Sequence, residues 1–165
     1  MPKKKKYRFD DRTEKEFRKD IKDRTLQERS LFLLWLDLIE SKTGKRPTYQ
    51  DTGCGKTGEF LEDKDVSTAP DFEVDGYGKL EVKFSKPMLD RVFHLKAGQV
   101  KSYKESGATI LMVNGADSET PKFTLLTTEA LASVVEDCRV VSWAGFGGKM
   151  SYRIPVDKFI WRDLK

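Results

Sequence analysis

Asp71, Glu73, Glu81 and Lys83 are the residues whose types and spacing best suit chemistry, three carboxylates and an ammonium carried on two short alternating runs. Hard divalent cations such as Mg2+ take oxygen donors, commonly one or two carboxylates together with phosphate and water. Asp71 and Glu81 could supply them. Lys83 follows Glu81 by two residues, about 6.6 Å further along the same face of a strand. There it could orient an attacking water or meet the negative charge that develops during phosphodiester hydrolysis. The plainer reading of the same residues is an amphipathic hairpin whose polar face meets water.

The elements around these residues follow from periodicity and turn chemistry. Runs 71–75 and 79–84 flank Gly76-Tyr77-Gly78, which predicts a β-hairpin turned by glycine. A three-residue loop pairs Asp75 with Lys79, setting Val74 opposite Leu80, Glu73 opposite Glu81, Phe72 opposite Val82 and Asp71 opposite Lys83. Phe72, Val74, Leu80, Val82 and Phe84 then share the apolar face, and a one-residue slip would expose all of them. Before the hairpin, Phe17, Ile21, Phe32, Trp35 and Ile39 recur at three- and four-residue steps, predicting one long or two shorter helices over 13–42, stopped at Gly44. Residues 46–67, rich in Gly, Thr, Asp and Pro, read as a loop. After the hairpin come a third strand at 91–95, a helix at 96–106, a buried strand at 109–113, a strand at 123–126, a helix at 129–137 and a glycine-turned hairpin over 139–154. This is an α/β pattern. Phe159, Ile160 and Trp161 pack on the body or on a second subunit, and the sequence leaves both open.

Pro70-Asp71, ten residues, then Glu81-Val82-Lys83, placed on successive strands with a helix and a buried strand to follow, resembles the PD-(D/E)xK nuclease superfamily. Gln99 and Tyr103, four apart on one helix face, look like the Q-x-x-x-Y element of its RecB-type branch. The resemblance covers about 26–114. It implies a restriction-endonuclease-like core of order α-β-β-β-α-β, with a mixed central sheet flanked by helices and a C-terminal β-hairpin extension over 115–165. It also implies Mg2+, with Mn2+ able to substitute, at Asp71, Glu81 and Val82, and hydrolysis assisted by Lys83. Many members add a glutamate from the first helix. Glu28 falls on the apolar face of the predicted helix, where a charge is costly unless paired or metal-linked, the alternative being a salt bridge with Arg29 or Lys22. Gln99 is a catalytic candidate on the same resemblance; a solvent-facing glutamine and a core tyrosine are the other reading of Gln99 and Tyr103.

The chain has 165 residues with 31 Lys and Arg against 27 Asp and Glu, a length that suits one domain over 13–165 behind a basic, flexible arm at 1–12. Lys3, Lys4, Lys5 and Lys6 alone carry as much charge as the net +4, so a polyanion would be met by the arm and a local patch. A solubilising tail is the alternative. Lys56, Lys96 and Lys101 are candidates for DNA phosphates, with Tyr103 beside them and Tyr77 able to stack on a base. Thr52-Gly53-Cys54-Gly55-Lys56-Thr57 imitates the end of a P-loop, but Gln50 stands where the first glycine is needed, so no ATP is expected. One histidine and two cysteines exclude two-histidine zinc centres and four-cysteine clusters, leaving carboxylates as the metal ligands. His94 reads as a packed strand residue. No run is apolar enough to span a membrane, and the lysine-rich start lacks the apolar stretch of a secretory signal, so a cytoplasmic location is expected, nucleoid-associated or viral in origin.

These readings converge on an expected Mg2+-dependent DNA endonuclease, phage or mobile-element associated. It would be either sequence-specific, like homing or restriction enzymes, or junction-specific, like a Holliday junction resolvase, and a homodimer or higher oligomer. The alternative is a catalytically inactive nucleic-acid-binding module of the same fold.

Overall fold

A computed structural model describes residues 14–52 and 70–165. The candidates Lys3, Lys4, Lys5, Lys6 and Lys56, and most of the P-loop-like run, lie outside the described residues. The first element is a single helix, α1 (Glu14–Thr43). Its C-terminal half buries Phe32 and Trp35 of the predicted stripe together with Leu31 and Leu36, and Ile39 packs against them partly buried. Gly44 ends it at φ 76°, its N–H donating to the Glu40 carbonyl at 2.8 Å.

The strands are β1 (Tyr49–Asp51), β2 (Phe72–Val74), β3 (Gly78–Ser85), β4 (Val92–Lys96), β5 (Thr109–Asn114), β6 (Lys122–Leu126), β7 (Arg139–Ser142), β8 (Met150–Pro155) and β9 (Arg162–Asp163). Helices α2 (Ala97–Ser106) and α3 (Thr128–Val135) complete the α/β pattern. The main sheet is mixed, in the order β1-β2-β3-β5-β6-β9, and only β3 and β5 run parallel. Alternation along β3 and β5 divides the core between the faces of this sheet. Leu80, Val82, Phe84, Leu111 and Val113 meet α1, whereas Ile110 and Met112 join Val100 and Tyr103 of α2 and Leu131 and Val135 of α3.

Three features depart from the expectations. Residues 49–51, expected in a loop, form β1 and pair with β2. The third strand of the expected core does not enter the main sheet, because β2 and β5 already occupy both edges of β3. Instead β4 pairs with β8 in a separate sheet of order β4-β8-β7 and turns Phe93 and Leu95 inward. The third departure is the hairpin register. Its loop is Asp75-Gly76-Tyr77, so Val74 pairs with Gly78 and Phe72 with Leu80, a shift of two from the expected pairing. The Tyr77 N–H closes the turn on the Val74 carbonyl at 3.0 Å, and Gly76 and Gly78 adopt φ of 81° and 74°. An even shift preserves the faces, so the predicted apolar set is the buried one.

The C-terminal residues pack on the body of the chain. Phe159 is buried against Phe93, the Trp161 indole N–H donates to the Val156 carbonyl at 3.0 Å, and Ile160 is left 79% exposed. No helix among the described residues is long and apolar enough to cross a membrane.

Candidate active site

The two-residue shift places Asp71 in line to face Glu81 where the expected pairing put Lys83. Asp71 lies just before β2, one residue beyond the last hairpin pair, Phe72 with Leu80. Its carboxylate Oδ2 accepts the Val82 N–H at 2.9 Å, giving that amide a partner beyond the end of β2. The main chain on this side is pinned by Thr52, whose N–H donates to the Asp71 carbonyl at 3.1 Å and whose Oγ1 donates to the Pro70 carbonyl at 2.7 Å. Val82 itself sends its side chain into the core, so its contribution to the site is the amide that orients Asp71.

Glu81 and Lys83 share the opposite face of β3 from Val82. The Lys83 ammonium is 3.2 Å from Glu81 Oε1, with side-chain exposures of 20% and 13%. The Tyr103 hydroxyl donates to the same oxygen at 3.1 Å, and Lys83 Nζ lies 5.8 Å from the Tyr103 ring centroid. Tyr103 is therefore both a core residue and a partner of the site. Burial first, and then the Glu81 charge, push its phenol well above the ordinary range, so it remains a donor.

Glu28 approaches from α1. Its Oε1 is 3.6 Å from Arg24 Nε, one turn earlier, and the Arg24 guanidinium lies 4.8 Å from the Phe84 ring centroid. Neither Arg29 nor Lys22 is the partner expected for Glu28, since Arg29 reaches Asp51 at 2.7 Å and ties α1 to β1. Burial raises the Glu28 carboxyl to about 7, helped by Asp71 and opposed by Lys83 and Arg24. Asp71 is raised to about 6, by burial first and by Glu81 second, while the Val82 N–H, Lys83 and Arg24 pull it down. Glu28, Asp71, Glu81, Lys83 and Arg24 thus form one electrostatic unit drawn from α1, the β2 entrance and β3.

Within this unit the donors suited to a cation are carboxylate oxygens, and their mutual repulsion is what a divalent ion would relieve. Carboxylate oxygens are the donor chemistry that Mg2+ or Mn2+ takes, and Asp71, Glu81 and Glu28 are the groups that offer it here. Among the described residues the side chains do not close into a ready cluster of three or more metal-binding groups.

The remaining candidates are dispersed. Gln99 is half-buried one turn before Tyr103 and makes no side-chain hydrogen bond among the described residues. Lys101 is exposed on α2. Lys96 ends β4 with its ammonium 5.1 Å from the Phe146 ring centroid. Tyr77 sits in the hairpin turn, at the other end of β2 from Asp71, with its ring edge-on to Trp35 at 5.0 Å. His94 is a packed strand residue, stacked on Trp143 at 3.8 Å. Arg24 and Thr52 were not among the candidates. The four-residue step from Arg24 to Glu28 was a usable signal, whereas nothing local marked Thr52.

Searches against protein-family models, curated proteins and solved structures find no match to this chain.

Proposed function

We propose that the protein is a Mg2+-dependent DNA endonuclease that hydrolyses phosphodiester bonds. The observation that carries this reading is the convergence of two half-buried carboxyls, Asp71 and Glu81, with a half-buried lysine at the end of a hairpin where a helix adds Glu28. The PD-(D/E)xK resemblance of the same residues supports it, and the mixed sheet with helices on both faces is compatible with the core that resemblance implies.

In this reading Asp71 and Glu81 hold the cation, which, when bound, supplies Lewis-acid stabilisation of the phosphoryl oxygens and a more acidic water. Lys83, 3.2 Å from Glu81 Oε1, orients the attacking water and offsets charge as it builds on the phosphoryl group. Tyr103 holds Glu81 in place by donating to Oε1, which makes it a positioning residue. Glu28, with a pKa of about 7, is able to give or take a proton near neutrality. Gln99 is proposed to meet substrate from α2.

The test is cleavage of supercoiled plasmid, linear duplex, single strand and a four-way junction with Mg2+, Mn2+ or EDTA, with Glu81→Ala in parallel. Metal-dependent cutting that is lost in the variant is expected, and the preferred substrate separates a sequence-specific enzyme from a resolvase. Metal-independent cutting, or cutting at the parental rate by Glu81→Ala, would overturn the assignment. Salt-dependent binding without cutting on any substrate would favour a nucleic-acid-binding module instead.

A further inference from the structure

The three-stranded sheet has two chemically opposite faces. Phe93, Leu95 and Ile154 alternate inward onto the core shared with α2 and α3. On the outward face the register aligns His94 of β4, Arg153 of β8 and Arg139 of β7 in one row. Neighbouring strands lie about 4.8 Å apart, so Arg139 and Arg153 present their guanidiniums from adjacent strands. Arg139 and Arg153 are exposed, and neither guanidinium has an acidic partner among the described residues. The positive charge is felt locally, since His94 is lowered from its ordinary pKa by burial and then by Arg153.

The tip of the β7–β8 hairpin folds over this face and stiffens it. Trp143 stacks on His94 at 3.8 Å and meets the edge of Phe146 at 4.6 Å. A Cβ at Gly145 would stand 2.7 Å from the Trp143 ring, so glycine is required there for the ring to lie down. Packed on His94 and Phe146, the indole braces the tip, and the exposed cations of the face are Arg139 and Arg153.

We propose that Arg139 and Arg153, paired across β7 and β8 beside the covered His94, form a docking surface for the phosphodiester backbone of nucleic acid, on a sheet separate from the one that carries Glu81. The argument is charge complementarity: a nucleic-acid strand carries one negative charge about every 3.4 Å, and two exposed guanidiniums without an ion-pair partner among the described residues match it. The surface contacts phosphate and so holds the polymer without reading sequence. It deepens the nuclease reading and rests on that reading for its partner.

The experiment is anisotropy of a labelled 30-base-pair duplex in EDTA over a salt series, with the parent chain, Arg139→Gln/Arg153→Gln and the control Lys42→Gln/Lys45→Gln, which removes the same charge from the exposed end of α1. Circular dichroism checks that each variant folds. The arginine pair is expected to lose on the order of tenfold in affinity at low salt and about 2 in the log–log salt slope. The control should move much less. Parental affinity and slope in the arginine variant, or an equal loss in the control, would overturn the proposal. Loss of binding in the arginine variant alongside undiminished cleavage by Glu81→Ala would retire the nuclease site and leave the surface standing. Intact binding by the arginine variant, with cleavage that depends on Glu81, would do the reverse.

Discussion

Phe32 lies flat on Phe72, ring centroids 3.8 Å apart and planes 7° from parallel. Phe72 follows Asp71 directly, and Phe32 is one helical turn from Glu28, so this stack joins α1 to the hairpin next to two of the site's carboxyls. Phe32→Ala removes a fully buried ring and is expected to destabilise the fold by about 3–5 kcal/mol, read from urea unfolding. A loss below 1 kcal/mol would mean that α1 is held to the sheet by other contacts.

Glu28 is a source of pH-dependent instability. Its folded pKa of about 7 exceeds the ordinary 4.5, so the native state binds more protons than the unfolded state between those values. Any stability tied to the protonated form is complete below the unfolded pKa and is lost as the pH rises through 7. Glu28→Gln should therefore melt higher than the parent at pH 8, by on the order of 1–3 kcal/mol, with the gain fading towards pH 4.5. A difference that does not change with pH would contradict this account.

Burial raises the Asp71 carboxyl to about 6, and the Glu81 charge adds to the rise. Removing that charge by Glu81→Gln is expected to lower the Asp71 pKa from about 6, observable by carbon-detected NMR of the labelled carboxyl. An unmoved titration would show that burial alone sets the value.

Tyr103→Phe deletes one hydrogen bond and leaves the ring. The expected cost is about 0.5–1.5 kcal/mol of stability. If the hydroxyl positions Glu81, the Mg2+ concentration needed for half-maximal cleavage should also rise. A stability loss with an unchanged Mg2+ requirement would make the hydroxyl purely structural.

Thr52 anchors the backbone on both sides of the Pro70–Asp71 peptide. Thr52→Val keeps the shape but loses the hydroxyl bond to Pro70, and the expected result is a lower kcat with little change in KM. Thr52→Ser should restore it. Equal behaviour of the two variants would remove Thr52 from the positioning of Asp71.

What the sequence reveals of this site depends on how local the determining physics is. The apolar and polar faces of the hairpin were readable because alternation survives any even shift of register. The register was not, because Gly76 and Gly78 both tolerate the positive φ a turn requires, and choosing between them decides whether Asp71 faces Lys83 or Glu81. β1 is three residues long and gains its identity from pairing with β2, so its own composition carries little signal. β4 was legible as a strand, but its partner β8 lies more than fifty residues later, and no local pattern names a distant partner. Glu28 stood out as a charge on an apolar stripe. The arginine that moderates it was within reach of the same reading through its four-residue step to Glu28, whereas its contact with Phe84 needed the packing of α1 on the sheet.

The parallel pairing of β3 with β5 also sets an order of events for the folding chain. Asp71 and Glu81 are joined by a short hairpin and can meet over a small loop, whereas parallel strands need the whole crossover through β4 and α2 between them. Tyr103 rides on that crossover, and Glu28 arrives from a helix far upstream. The like charges of the hairpin therefore come together before the hydroxyl that braces Glu81 is in place, so closing the crossover is expected to be the slow, contact-order-limited event that completes the site.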